Sequence, residues 1–383
     1  MTQTQNQMPV TPQLVSWARD RAGYSIAEAE KHFKRIAAWE AGEASPTYPQ
    51  LEQLADRFKV PVAVFFFPEP PDVPRIDETF RTLTQADLAA IPPKVRLLLR
   101  KARAMQINLV ELNDGKNPSL KNVTKDLGFS ASTRVETMAR VVRDYFEVSV
   151  EEQMSWASVE VALENWRRIL VDHGIYVFKD AFREENFCGF CLYDDNFPII
   201  YVNNTAAKTR QIFTIFHELA HLIFHTSGVD LVDDGFISSL PAAGRKIEII
   251  CNRFAGQFLV PDNALEAERR SLPVNRESAA ELANRFCVSR EVIYRKFLDR
   301  GLISQFEYEE AAREWRGSGR SKKAPGGGNY YYNQMSYLGR PYVGLAFEKF
   351  YQNRFDAIQL AEYLNVKPKN IPEFEETFLQ ATG

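Results

Sequence analysis

The chain has 383 residues, 45% apolar and 25% charged, with a formal net charge of −3. This is the composition of an ordinary globular protein with room for two or three domains and a sizeable core. It excludes several classes: no uninterrupted 18-residue apolar run spans a bilayer, the start Met1-Thr-Gln-Thr-Gln-Asn-Gln lacks a secretory pattern, and four cysteines are too few for a disulfide framework. The expectation is a cytoplasmic protein.

The first unit is expected over residues 1–71. Residues 12–23 read as a helix with a Gly stop, Ser25 starts a second, residues 36–42 end a third, and residues 46–58 supply a fourth. With Trp39-Glu40-Ala41-Gly42 and Pro46-Thr47 as its signature, this unit resembles the XRE-type helix-turn-helix. It departs from that pattern between Ser25 and Trp39, where about four residues of the turn and recognition-helix start are missing. Lys31, Lys34 and Arg35 are the groups left to touch DNA. Residues 1–70 hold seven Lys and Arg against eight Asp and Glu, whereas duplex affinity rests on clustered positive charge. Weak DNA binding is therefore expected, with docking or homodimerisation through apolar groups around Phe65-Phe66-Phe67 as the unit's main work.

Residues 72–154 read as a helical connector. Pro70-Pro71-Asp72-Val73-Pro74 is stiff, and residues 91–112 form a long helix bearing Lys94, Arg96, Arg100, Lys101 and Arg103. Such a basic run is read first as a solvated helix face.

Residues 155–315 carry the chemistry. Three of the five histidines fall within Phe216-His217-Glu218-Leu219-Ala220-His221-Leu222-Ile223-Phe224-His225. Residues 206–225 run without Pro or Gly, with Asn203, Asn204 and Thr205 as N-cap candidates and Gly228 as a stop. Four-residue spacing puts His217 and His221 one turn apart on one helix face, where two imidazoles can share a metal and Glu218 can act on a water. The helix is apolar nearly all round, so these polar groups are buried, and burying them without a partner is costly. For the third ligand, His225 lies roughly 12 Å along the axis from His217, too far to converge. Glu248, on a second apolar helix ending before Pro261, is the better candidate, with Asn252 four residues on as a supporting group.

His217-Glu218-Leu219-Ala220-His221, then Glu248-x-x-Cys251-Asn252-Arg253-Phe254-Ala255 and Leu259-Val260-Pro261, resemble the ImmA/IrrE family of metallo-endopeptidases. The lead-in segments at residues 174–178, 188–192 and 198–203 are similar too and read as three short strands. The resemblance covers roughly residues 155–300. It implies an α+β, mostly helical protein with a gluzincin-like minimal metalloprotease core, in which a small antiparallel sheet precedes the active-site helices. It also implies Zn²⁺ on His217, His221 and Glu248, with Mn²⁺ or Fe²⁺ as alternatives, and Glu218 as general base. Tyr201 and His225 are candidate oxyanion groups. Cys188 and Cys191 are read as two ordinary buried cysteines.

Residues 279–297 fit a second helix-turn-helix pattern, but residues 262–316 carry ten basic against eleven acidic groups, which favours a helical cap on the core. Residues 316–329 read as a flexible linker, and residues 330–383 as a helical C-terminal module in which Tyr330-Tyr331-Tyr332 serves either as partner surface or as core. The functional expectation is an endopeptidase cutting a partner protein, a DNA-binding repressor or a toxin/antitoxin-type regulator, in a stress, prophage or defence switch. The alternative is a non-catalytic antitoxin or transcriptional regulator that uses the protease fold as a scaffold.

Overall fold

The computed structural model describes residues 7–73, 91–184, 186–231, 242–318 and 329–382. They divide into two compact units, Met1–Lys101 and Ala102–Gly383.

In the first unit, helix Pro12–Ala22 starts on Pro at its first turn and stops at Gly23, whose φ of 81° suits a residue without a Cβ. Ser25 and Glu28 form a reciprocal capping box for Ile26–Glu30. Thr47 and Gln50 do the same for Tyr48–Phe58. Leu14, Val15, Ile36, Trp39, Leu51, Leu54 and Phe58 close a core of their own, and Arg19 grips Glu40 with two hydrogen bonds. The helices on either side of the gap, Ile26–Glu30 and Ile36–Glu40, have only five residues each. Lys31, Lys34 and Arg35 are exposed on the turn between them. The expected apolar surface at residues 65–67 needs correction, because Phe65 is fully buried while Phe66 and Phe67 are about 40% exposed. The basic run is also not simply a solvated face: Arg100 donates to the Phe58 carbonyl at the end of its helix, and the Arg96 side chain lies on Gly23, where an added Cβ would meet it at 2.2 Å.

The second unit is built on a four-stranded sheet of order β1-β3-β2-β4, from Tyr176–Asp180, Phe187–Leu192, Ile199–Asn203 and Val229–Leu231. The sheet is mixed, not antiparallel as expected. Strand β3 inserts between β1 and β2, so it runs antiparallel to β2 and parallel to β1. The fourth strand is short and was not anticipated.

Alternation along the strands gives the sheet two apolar faces. Val177, Cys191, Ile200 and Val202 pack with Ile212, Ile215, Phe216 and Leu219 of helix Lys208–Ile223. That helix lies against Ala242–Leu259 and Val159–Asp172. Trp166, Phe216 and Phe258 meet at its centre, with ring centroids 4.2–5.5 Å apart. On the other face, Phe178 touches Tyr201 and Phe190 stacks on it, and Tyr342 of the C-terminal module meets Phe178 at 5.3 Å. The module's helices are Tyr330–Leu338, Arg340–Tyr351, Ala357–Leu364 and Ile371–Thr382. Buried Arg167 joins it to the sheet by donating to the carbonyls of both Val177 and Ser336.

Helices Arg276–Arg285 and Arg290–Asp299 bury Leu282, Phe286, Ile293 and Phe297 in the same core cluster as helix Lys208–Ile223. Tyr330 and Tyr332 are about half exposed, and Tyr331 bonds Glu373. Residues 316–318 continue helix Gln305–Ser318, and the rest of the expected linker up to residue 328 lies outside the described residues. Among the described residues no helix is long and apolar enough to cross a membrane.

Candidate metal centre

Helix Lys208–Ile223 starts at Ala207 rather than on the Asn-Asn-Thr cap candidates. Asn203 instead accepts from the Thr205 and Phe182 amides, so its side chain shapes the turn before the helix. The apolar sheet contact buries the whole central stretch of the helix, including His217, Glu218 and His221.

The two imidazoles, one turn apart, bring their Nε2 atoms to 3.2 Å of each other. Glu248 enters from helix Ala242–Leu259, one oxygen 3.2 Å from His217 Nε2 and the other 3.2 Å from His221 Nε2. One ligand atom from each of the three residues lies within 4.8 Å of the others. The three residues are 1%, 0% and 6% exposed. On the far side of each ring, Nδ1 has its own support: Asn252 Oδ1 at 3.0 Å for His217, and Thr226 Oγ1 at 3.4 Å for His221.

These groups fit a cation. Three lone-pair donors converge in a buried space where only a shared proton or a metal ion can reconcile them. Burial would push the Glu248 carboxyl up, yet the two imidazoles overcome this and hold it well below the usual carboxylate range. Glu218 is fully buried beside them, and neither of its oxygens has a hydrogen-bond partner. Burial pushes it up to about 7 against the opposing pull of the imidazoles. An unpartnered buried carboxylate next to a ligand cluster is the kind of group that catalytic sites use.

The two candidate oxyanion groups are not brought to this cluster. Tyr201 projects from the opposite sheet face, stacked on Phe190. His225 ends the helix with a φ of 55°; its Nε2 contacts the Thr124 carbonyl and its ring lies against Tyr193. All four cysteines are free and buried. Gly228 is not the helix stop that was expected, since the helix ends at Ile223 with His225 in the left-handed region; a Cβ at Gly228 would strike the His221 ring at 2.6 Å.

Sequence reasoning missed a second polar group of side chains beside the ligands. Asp230 of β4, 4% exposed, accepts two bonds from Arg210 (2.9 and 3.0 Å) and one from Thr214 (2.6 Å). Arg210 also donates to Cys188 Sγ. Thr214 stands three residues before His217, so helical spacing could have marked it. Nothing in the local sequence marks Asp230.

The fold and the ligand set define a metallopeptidase-like core. The family described as Peptidase_M78, IrrE N-terminal-like domain, matches residues 171–298. A solved structure of a Mycobacterium tuberculosis transcriptional regulator is similar at 18% identity with a TM-score of 0.28, over 42% of this chain and 44% of that one. The chain thus spans less than half the length of that protein. No curated protein matches the chain.

Proposed function

We propose that the protein is a zinc-dependent endopeptidase that cuts a partner protein, with His217, His221 and Glu248 as ligands and Glu218 as general base. The observation that carries this reading is the convergence of the three ligand atoms beside a buried carboxylate with no partner of its own. The two-imidazole, one-carboxylate donor set suits Zn²⁺, and Mn²⁺ or Fe²⁺ would occupy the same donors where they are more available. A metal held there supplies Lewis acidity, polarising the scissile carbonyl and acidifying a water.

The remaining work falls to side chains of the chain itself. Asn252 and Thr226 fix the two rings from behind, so that Nε2 of each faces the cluster. Glu218 takes the proton of the attacking water and returns it to the leaving amine. Its place one residue after His217, buried beside the ligands, suits it to both halves of that transfer. Burial of the three ligands and of Glu218 keeps bulk water away.

The substrate we propose is a DNA-binding repressor or a toxin/antitoxin-type regulator, cut in a stress, prophage or defence switch. The M78-type domain supports the protease half of this reading. The helix-turn-helix-like first unit, with its shortened central helices, supports a protein-docking role in place of strong DNA readout.

The test is to express the chain with its genomic neighbours and look for a metal-dependent cut in one of them. Glu218→Gln keeps every ligand, so the metal should stay while cleavage falls by orders of magnitude. Full biological activity of Glu218→Gln would mean that the protein acts by binding alone.

A further inference from the structure

After its last helical turn the chain doubles back along the active-site helix. The Thr226 amide donates to the His221 carbonyl and its hydroxyl faces His221 Nδ1. Gly228 lies directly on the His221 ring, and its amide donates to Cys191 Sγ. Asp230 then reaches Thr214 and Arg210, on the two turns of the helix before His217. Residues 226–230 therefore form a strap pinned at both ends to one helix, with a ligand imidazole beneath its middle. The strap is seated in the sheet as well, because Asp230 pairs with Gly189, where a Cβ would meet Thr214 at 2.4 Å. A β-bulge between Phe187 and Gly189 accommodates that contact.

We propose that Asp230 is a positioning residue for the metal centre: by anchoring the strap to Thr214 and Arg210, it holds Thr226 and Gly228 against the His221 ring and so sets that ring's ligand geometry. This rests on the reading of His217, His221 and Glu248 as metal ligands.

The experiment is a Zn²⁺ titration of the full-length metal-free chain against a competing chelator, paired with thermal melts of the same samples. Asp230→Asn keeps the shape but loses the charge and weakens the anchor, so Zn²⁺ affinity should fall about tenfold or more. Thr214→Val should lose less, and Thr214→Ser, which keeps the hydroxyl, should return to wild-type affinity. A role limited to folding would lower the melting temperature and leave the Zn²⁺ affinity where it was, and that result overturns the inference. Should Asp230→Asn fail to fold, the Thr214→Val and Thr214→Ser pair decides the matter by the same affinity criterion. Wild-type protein that takes up no Zn²⁺ would instead remove the metal reading itself, so the two failures are distinguishable.

Discussion

The two units handle charge in opposite ways. In the helix-turn-helix-like unit, Lys31, Lys34 and Arg35 stay in water, and the Arg19–Glu40 pair is matched by direct partners. In the second unit, two imidazoles and three carboxylates are drawn below the surface, and one of them, Glu218, has no hydrogen-bond partner. Exposed charge costs little and tells little. Buried charge has to be compensated, so the second arrangement points to a ligand and the first does not.

Removing a ligand should break that contrast most sharply. His217→Ala or His221→Ala should weaken Zn²⁺ binding by more than the roughly 10- to 100-fold expected when a supporting group is lost. His225→Ala should leave it near wild type, because that ring is engaged with Thr124 and Tyr193. Chelator competition measures all three.

Next in size is the aromatic packing of helix Lys208–Ile223. Phe216→Ala empties the space between Trp166 and Phe258 and should cost about 3–5 kcal/mol in denaturant unfolding of the metal-free chain.

A subtler effect comes from Glu218. Its folded-state pKa of about 7 lies above the ordinary 4.5. The folded state thus holds a proton that the unfolded chain releases first, and metal-free stability falls as pH rises from 4.5 to 7. Glu218→Gln removes that slope. Compared at pH 8, the metal-free variant should be more stable than wild type by up to about 3 kcal/mol, while at pH 4 the two should converge. A variant that tracks wild type across this range would mean that Glu218 is not held in the buried environment described.

The smallest effects belong to the first unit. Replacing Lys31, Lys34 and Arg35 by Ala should change stability by no more than about 0.5 kcal/mol, and duplex binding should be weak before and after. A sequence-specific shift at nanomolar protein, lost in the triple variant, would restore a transcription-factor role for this unit.

What could be read from sequence follows the same division. Helix Lys208–Ile223 announced itself as the carrier of a candidate metal site through the four-residue histidine spacing and an apolar surround. Glu248 and Asn252 shared a spacing of their own, and the structure brings both to the histidines. Local signals such as Ser25 as a helix start and Gly23 as a helix stop also formed as read. Long-range pairing was not readable. No local pattern says that β3 enters between β1 and β2, that a three-residue β4 completes the sheet, or that Asp230 finds Thr214 sixteen residues away. Tyr201 was misplaced for the same reason. Its strand was recognised, but which face met the active-site helix depended on the register with β1 and β2 and on a C-terminal module covering the other side.

The most direct test of the central claim is the metal stoichiometry of freshly purified chain, measured by mass spectrometry under non-denaturing conditions and by elemental analysis. One divalent transition-metal ion per wild-type chain, with Glu248→Ala folded but metal-free, is the predicted result. Wild-type protein that carries no metal and takes up none on titration would contradict it.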